Sequence, residues 1–526
     1  MADDVITSNG IRWTLAPDAK SQFGDEVPHL PQWIANGCAE VVKSGPHRAV
    51  YRVLLPQLRL YWKHCKLATI RAFLREVIRP PKARMEFDKA IALKERNVPT
   101  FEPLAWGIRP GFIPGESFLI TRALENAVSV QQYLEGSLTP KSRREIAVAL
   151  GQFIALLHNA GVTHPDLHPG NILIGAESEF YLLDLHAIRL GEPLNTSASH
   201  ANLVMLNRWF AIRATRSDRL RFWRSYTAHR PKVASLNPRE IETLTSRSNE
   251  RFWRSREWRY TSSNRYFRKV KSPIASGFVV RDFDAATLEQ LLADPDAPFR
   301  TAKIIKDSRS STVAIWNIGD HTVIYKRFRL RKKLDPWLNM VRPSATLRSW
   351  CRGQSLRERH LRTPRPLLML HRRRRGLPAE GYLLTEFVAD ARELHSELSA
   401  CGDYRPLIDE LARCIRILHE RQLSHRDLKA NNLLVDAQGK IHFIDLVGVR
   451  DHRKLSRSRR VQNLARLNAS FLHRPEVTRT DRLRFLRMYL SWAMNGKTGW
   501  KLWWREVGQL TQKKVARNRR SGRPLA

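Results

Sequence analysis

The sequence predicts an α+β chain made of two tandem bilobal domains, each with a β-rich N-lobe and a helical C-lobe. Three observations carry that prediction. The segment His164-Pro-Asp166-Leu-His168-Pro-Gly-Asn171 returns 261 residues later as His425-Arg-Asp427-Leu-Lys429-Ala-Asn-Asn432. Each copy is preceded by short strand-like runs and by a helix-like period. The offset barely drifts along the chain, since Asp218-Arg-Leu-Arg-Phe222 returns as Asp481-Arg-Leu-Arg-Phe485. A repeat of this length is a whole domain, far longer than the roughly 20–50 residues of a solenoid unit.

The elements follow in order. Residues 1–27 hold no strong period and read as an N-terminal leader. The first domain takes 28–275 and the second 276–526, with the boundary near Ser272-Pro-Ile-Ala-Ser-Gly277. Residues 41–43, 49–55 and 58–63 are short apolar runs separated by turn residues, the mark of a β-meander. Residues 82–95 have helical spacing, closed by Val98-Pro-Thr, and 103–107 and 117–121 read as a further hairpin. Within 141–159, Ile146, Leu150, Phe153, Ile154 and Leu157 share one helical face. Residues 171–174 and 180–183 form a small hairpin that presents Asp184. The second copy re-enters at 304–306 and 322–326. The run Arg372 to Arg375, before Gly376, tips a hairpin.

The chain carries 91 Lys and Arg against 50 Asp and Glu, a formal charge of +41 over 526 residues, with 42% hydrophobic residues. Such a balance suits an anionic partner: an acidic lipid surface, a phosphorylated sugar or nucleic acid. A genome that favours Arg codons would give the same excess. Five Cys without a C-x-x-C exclude a zinc site or disulfide framework and imply reduced, cytoplasmic thiols. The N-terminus, Met-Ala-Asp-Asp-Val, is acidic where a signal peptide is basic and then apolar, and no 18-residue apolar stretch occurs. A soluble or peripheral protein is expected.

In each copy an Asp precedes an Asn by five residues, and a second Asp follows the first by eighteen, at Asp184 and Asp445. Phosphoryl transfer from ATP needs that set: one carboxylate orients the accepting hydroxyl, while an Asn and another carboxylate hold Mg²⁺ between the phosphates. Asp166 and Asp427 are therefore the expected catalytic residues, and Asn171, Asp184, Asn432 and Asp445 the expected metal ligands. Lys63 and Lys326, on the third strand of each meander, are placed to reach the α- and β-phosphates. Glu86, in the helix after Lys63, is the expected partner of that ammonium. Ser349 stands at the matching place in the second copy, where Glu358 is the nearest alternative carboxylate. Lys429, two residues after Asp427, adds positive charge for the transferred phosphoryl group, where the first copy has His168. His164 and His425 read as braces of the loop. No G-x-G-x-x-G covers either first hairpin.

Both halves resemble the lipopolysaccharide kinase (Kdo/WaaP) family, a branch of the protein-kinase-like fold. The likeness rests on the strand ending in Lys63 or Lys326, on Arg362-Thr-Pro-Arg-Pro-Leu367, on His158 or His419 ahead of the H-x-D loop, and on the Asp-Arg-Leu-Arg-Phe segment. It implies an ATP- and Mg²⁺-dependent kinase acting on Kdo or heptose of the lipopolysaccharide core at the cytoplasmic face of the inner membrane. No Ala-Pro-Glu segment follows Asp184 or Asp445, which favours a small or lipid-linked acceptor over a peptide. Two other readings stay open: a protein Ser/Thr kinase, and a pseudokinase scaffold with one or both sites silent. The basic aromatic segments, 247–271 and Trp500, Trp503, Trp504 and Arg505, suit an anionic membrane or nucleic acid, or simply cover the helical lobes. Nucleic acid is the least favoured of these.

Overall fold

Alternation along the strands decides how the first sheet is covered. The computed structural model describes residues 4–522 apart from 18, 24–26, 68–78, 112–114, 232–236, 331–341, 375–376, 401, 491–498 and 521. By contacts the chain divides into two units, 1–248 and 249–526. In the first, β1 (Val5–Ser8), β2 (Ile11–Leu15), β3 (Ala39–Ser44), β4 (Arg48–Leu54), β5 (Arg59–Cys65), β6 (Pro103–Ile108) and β7 (Ser117–Arg122) form one antiparallel sheet, ordered β1-β2-β6-β7-β5-β4-β3. Leu60 and Trp62 of β5, Trp13 of β2, and Phe118 and Ile120 of β7 share one core. Period two then sends Lys63 to the opposite face. Trp13 and Trp62 meet edge to face with ring centroids 4.8 Å apart.

That opposite face is served by the helix Lys82–Glu95. Its Phe87, Ala90 and Leu93 join a second core with Leu119 of β7 and with Leu150, Phe153, Ile154 and Leu157 of the helix Pro140–Asn159. The latter starts where Thr139 caps the Ser142 amide and Pro140 opens the first turn. Beyond it lie the short strands β8 (Val128–Ser129), β9 (Val162–Thr163), β10 (Ile172–Ile174), β11 (Phe180–Leu182) and β12 (Arg189–Leu190). Helices Thr196–Phe210, Arg216–Ala228 and Pro238–Arg256 follow.

The second unit repeats the plan. Its sheet holds β13 (Phe267–Lys271), β14 (Ala275–Val280), β15 (Lys303–Asp307), β16 (Ser311–Ile318), β17 (His321–Phe328), β18 (Pro366–Arg374) and β19 (Leu377–Glu386), ordered β13-β14-β18-β19-β17-β16-β15. Helix Ala345–Glu358 follows β17; β20 (Arg392–Glu393) precedes the helix Arg405–Glu420, which leads to β21 (Leu423–His425), β22 (Leu433–Val435), β23 (Ile441–Phe443) and β24 (Val449–Asp451), with β20 paired to β22 and β21 to β24. Helices Arg457–Ala469, Arg479–Leu490 and Gly499–Arg520 complete it. The last corresponds to Pro238–Arg256: the Asn207 amide donates to Thr245 Oγ1 at 3.0 Å, and the Asn468 amide donates to Thr511 Oγ1 at 3.0 Å. Both units are thus α+β, each with its own antiparallel sheet and helical cores.

Two expectations are corrected. Residues 1–27 do not stand apart as a leader, because Ile11, Trp13 and Leu15 alternate into the core and β2 pairs with β6. The change of unit falls at Ser248–Asn249 instead of near 275, because β13 pairs with β14 and so belongs to the second sheet. The basic aromatic segments are mostly packing: Trp253 is buried beneath Arg359, and Trp500, Trp503 and Trp504 lie against the second helical core, while Trp258 alone of these is well exposed. Arg372 to Arg374 end β18 as expected, whereas Arg375 and Gly376 lie outside the described residues. Among the described residues no helix is long and apolar enough to cross a membrane.

Because Trp13 is fully buried against Trp62 and Phe118, Trp13→Ala is expected to destabilise the first unit by about 3–5 kcal/mol. Denaturant unfolding followed by Trp fluorescence reads this as an earlier first transition. An unchanged transition would mean that residues 5–15 do not belong to the sheet.

Candidate active site

In the first unit the lysine of β5 and the carboxylate of the next helix meet. Lys63 Nζ donates to Glu86 Oε2 at 2.9 Å, and both side chains are largely shielded from water. Lys63 Nζ also lies 4.5 Å from the centre of the Phe101 ring, a cation–π contact. Three residues beyond Glu86, Lys89 donates to the backbone oxygens of His186 and Ile188, each at 2.8 Å. One helix therefore holds both Lys63 and the turn after Asp184. Sequence reasoning did not single out Lys89 or His186, since a carbonyl acceptor leaves no mark in the sequence.

Asp184 sits where β11 ends, in the left-handed conformation with φ 58°. Its Oδ1 lies 3.0 Å from His186 Nδ1, and His186 Nδ1 is 3.7 Å from Glu86 Oε1. The His186 hydrogen bond, more than any other influence, depresses the Asp184 carboxyl to about 2; its partial burial opposes the shift. The Arg48 guanidinium, on β4, lies 3.9 Å from the same oxygen. The Leu183 N–H donates to Asn171 O at 2.9 Å, so the backbone ties the two expected metal ligands side by side. The Asn171 amide N–H donates to Asp166 O at 3.0 Å, leaving its side-chain oxygen for other use. Hard oxygen donors from Asn171 and Asp184 fit Mg²⁺. Glu86, Asp184 and His186 also place one donor atom each within 4.8 Å of one another.

Asp166 itself is open to solvent, 74% exposed, with His168 Nε2 3.7 Å from Oδ2. His164 braces the loop as expected. Its Nδ1 accepts the Asp166 N–H at 3.1 Å, which leaves Nε2 to donate to Leu183 O at 3.3 Å. Its own N–H donates to buried Asn202. Burial keeps His164 neutral by lowering its pKa. A second buried histidine, His158, pairs with Tyr226 at 2.8 Å, and burial pushes it down to about 3.

The second unit keeps this skeleton and changes its charges. Asp427 N–H donates to His425 Nδ1 at 3.1 Å, the Asn432 amide donates to Asp427 O at 2.7 Å, and Asn432 O accepts from Ile444 N–H. Asp445 is again left-handed, with φ 54°, and His419 pairs with Tyr489 at 2.7 Å. Lys429 Nζ lies 3.5 Å from Asp427 Oδ2. The lysine differs. Lys326 donates to Asp445 Oδ1 at 2.9 Å, because Ser349 is buried and donates within its own helix to Ala345 O. Glu358 does not replace the missing partner: it closes the helix Ala345–Glu358 and lies against Tyr260 and Arg256. In the hairpin of β15 and β16, Asp307 is held by Thr312 and Arg329, and the charge of Lys306 bears on Asp445 as that of Arg48 bears on Asp184.

The lipopolysaccharide kinase (Kdo/WaaP) family profile matches residues 44–226 and 341–489, the first stretch including Lys63 and the second opening after Lys326. The chain belongs to that family. Among its relatives, the 3-deoxy-D-manno-octulosonic acid kinase of Vibrio cholerae is 34% identical over 116 residues, 22% of this chain and 48% of the relative. The protein of that name from Xanthomonas campestris is 32% identical over 168 residues, 31% of this chain and 66% of the relative. Aurora kinase B of Xenopus tropicalis is 36% identical over 94 residues, 16% of this chain and 24% of that one. The chain thus spans 48% and 66% of the lengths of the first two.

The Asp184 carboxyl is lowered, so its charged form stabilises the first unit above the ordinary carboxylate range and that contribution fades as pH falls toward about 2. His186→Ala is expected to raise the Asp184 titration midpoint toward the usual value, read by carboxyl-carbon NMR. A midpoint that stays near 2 would mean that another group holds the charge.

Proposed function

We propose that the chain is two tandem protein-kinase-like domains that transfer the γ-phosphoryl group of Mg-ATP to a sugar hydroxyl of an envelope glycolipid, Kdo or heptose of the lipopolysaccharide core. The observation that carries this reading is the Lys63–Glu86 pair on one side of Asp166, Asn171 and Asp184. Membership of the family and the activity for which the relatives are named support the acceptor class. Lys63, steadied by Glu86, binds the α- and β-phosphates. Asp166 orients the acceptor hydroxyl and takes its proton late in the transfer. Asn171 and Asp184 hold Mg²⁺, which when bound offsets charge on the β- and γ-phosphates. The work takes place at the cytoplasmic face of the inner membrane. There Trp258 and Tyr266, exposed beside Arg256, Arg259 and Arg265, suit an anionic headgroup layer.

The first unit is the main transferring site in this account. The second has Ser349 for the glutamate and a lysine committed to Asp445, and these favour a slower or regulatory role for it. Asp166→Ala is expected to lower kcat about 10²–10⁴-fold, with Asp427→Ala costing less. In a deletion strain, mass spectrometry of envelope glycolipids should show one phosphate missing, restored by the wild-type gene and not by Asp166→Ala. Full restoration by the Asp166→Ala, Asp427→Ala double variant would end this reading.

A further inference from the structure

Beside the Asp427 loop, three arginines from three elements converge with no acid between them. Arg348 lies in the first turns of the helix Ala345–Glu358, Arg426 precedes Asp427, and Arg450 lies in β24. The backbone brings them together. Arg450 pairs with Ser424 across β21 and β24, and the Arg426 N–H donates to Gly448 O at 2.8 Å. The helix packs on the turn Leu446–Gly448, so closely that a Cβ on Gly353 would sit 3.4 Å from Leu446. Burial and then the guanidiniums of Arg342, Arg426 and Arg450 depress the pKa of Arg348.

The nearby carboxylates are engaged elsewhere: Asp451 with Arg359, Asp445 with Lys326 and Asp427 with Lys429. Among the described residues, the one side-chain hydrogen bond of Arg348 is to Ser344 O at 3.4 Å, and the side chains of Arg426 and Arg450 make neither a hydrogen bond nor an ion pair. Like charges held together near the positive end of a helix repel, and a bound anion relieves that repulsion. Guanidinium forks match phosphate oxygens two at a time. The first unit has no such cluster, since the repeat puts Met85 and Pro165 where Arg348 and Arg426 stand, leaving only Arg189. The chain itself cannot supply the phosphate from the adjoining segment, because residues 446–455 contain no Ser, Thr or Tyr.

We propose that Arg348, Arg426 and Arg450 form a phosphate pocket in the second unit that holds a phosphomonoester already carried by the acceptor. The identity of the acceptor rests on the function proposed above; the pocket does not. The reaction that precedes this one would then be a phosphorylation of the same glycolipid.

The full chain, with its nucleotide clefts filled by Mg²⁺ and a non-hydrolysable ATP analogue, is titrated with inorganic phosphate by calorimetry. Arg348→Gln and Arg450→Gln are each expected to weaken phosphate binding about tenfold or more. Arginine-to-lysine versions should recover part of it, and Arg189→Gln in the first unit should change nothing. Unchanged circular dichroism and nucleotide binding establish that the variants fold. Equal phosphate affinity in wild type and variants overturns the pocket. In a second arm, run on the Asp166→Ala chain so that only the second unit transfers, core glycolipid is compared before and after alkaline phosphatase treatment. That chain should show a lower KM for the phosphorylated form, and adding either glutamine substitution should abolish the preference with kcat retained. Phosphate binding without such a preference overturns the acceptor as its source. Phosphate binding that is lost in the variants, with no transfer to either glycolipid, upholds the pocket and counts against the proposed function.

Discussion

The first unit is organised around one ion pair, Lys63 to Glu86, drawn from a strand and a helix that meet only if the sheet has its observed register. Both partners are mostly out of water, at 16% and 6% side-chain exposure, so removing either one leaves a shielded charge at a cost of about 3–5 kcal/mol. The alternation that buries Leu60 and Trp62 compels Lys63 to the cleft face. The helical period that buries Phe87, Ala90 and Leu93 turns Glu86 toward it and sends Lys89 to the backbone after Asp184. Apolar packing thus fixes the positions of three polar groups whose chemistry it does not share.

The second unit shows what that separation permits. Its apolar frame, sheet order and loop hydrogen bonds follow the first, down to the histidine that receives the Asp N–H and the Asn that ties itself to the same loop. The polar groups changed independently. Without a glutamate at 349, Lys326 turns to the next carboxylate available, and Asp445, expected as a metal ligand, becomes half of an ion pair. Nucleotide binding there would have to compete with that contact. Arginines meanwhile accumulate around Asp427 where the first unit carries Met85 and Pro165.

Much of this was legible in the residues. The doubled Asp, Asn and Asp spacing marked both loops, and the helical spacing of 82–95 marked Glu86 as the partner of Lys63 before any distance was known. What escaped the sequence has physical causes. The run Ile11, Trp13, Leu15 is too short for its alternation to stand out from polar neighbours, yet it closes the sheet. Lys89 looks like any solvated helix cation, because its acceptors are backbone carbonyls on a distant segment. Glu358 seemed available to Lys326 on composition alone, but it lies at the far end of its helix and packs toward Tyr260. The Trp-rich segments carry the same residues whether they face a core or a membrane, and only burial separates Trp253 from Trp258.

The central claim is that the Lys63–Glu86 pair makes the first unit the nucleotide-holding half of the chain. Calorimetric titration of the full chain with a non-hydrolysable ATP analogue, with and without Mg²⁺, tests it most directly. The account predicts one tight Mg²⁺-dependent site that disappears in Lys63→Met, weakens in Glu86→Gln and survives in Lys326→Met. A tight site that persists in Lys63→Met and disappears in Lys326→Met would contradict it.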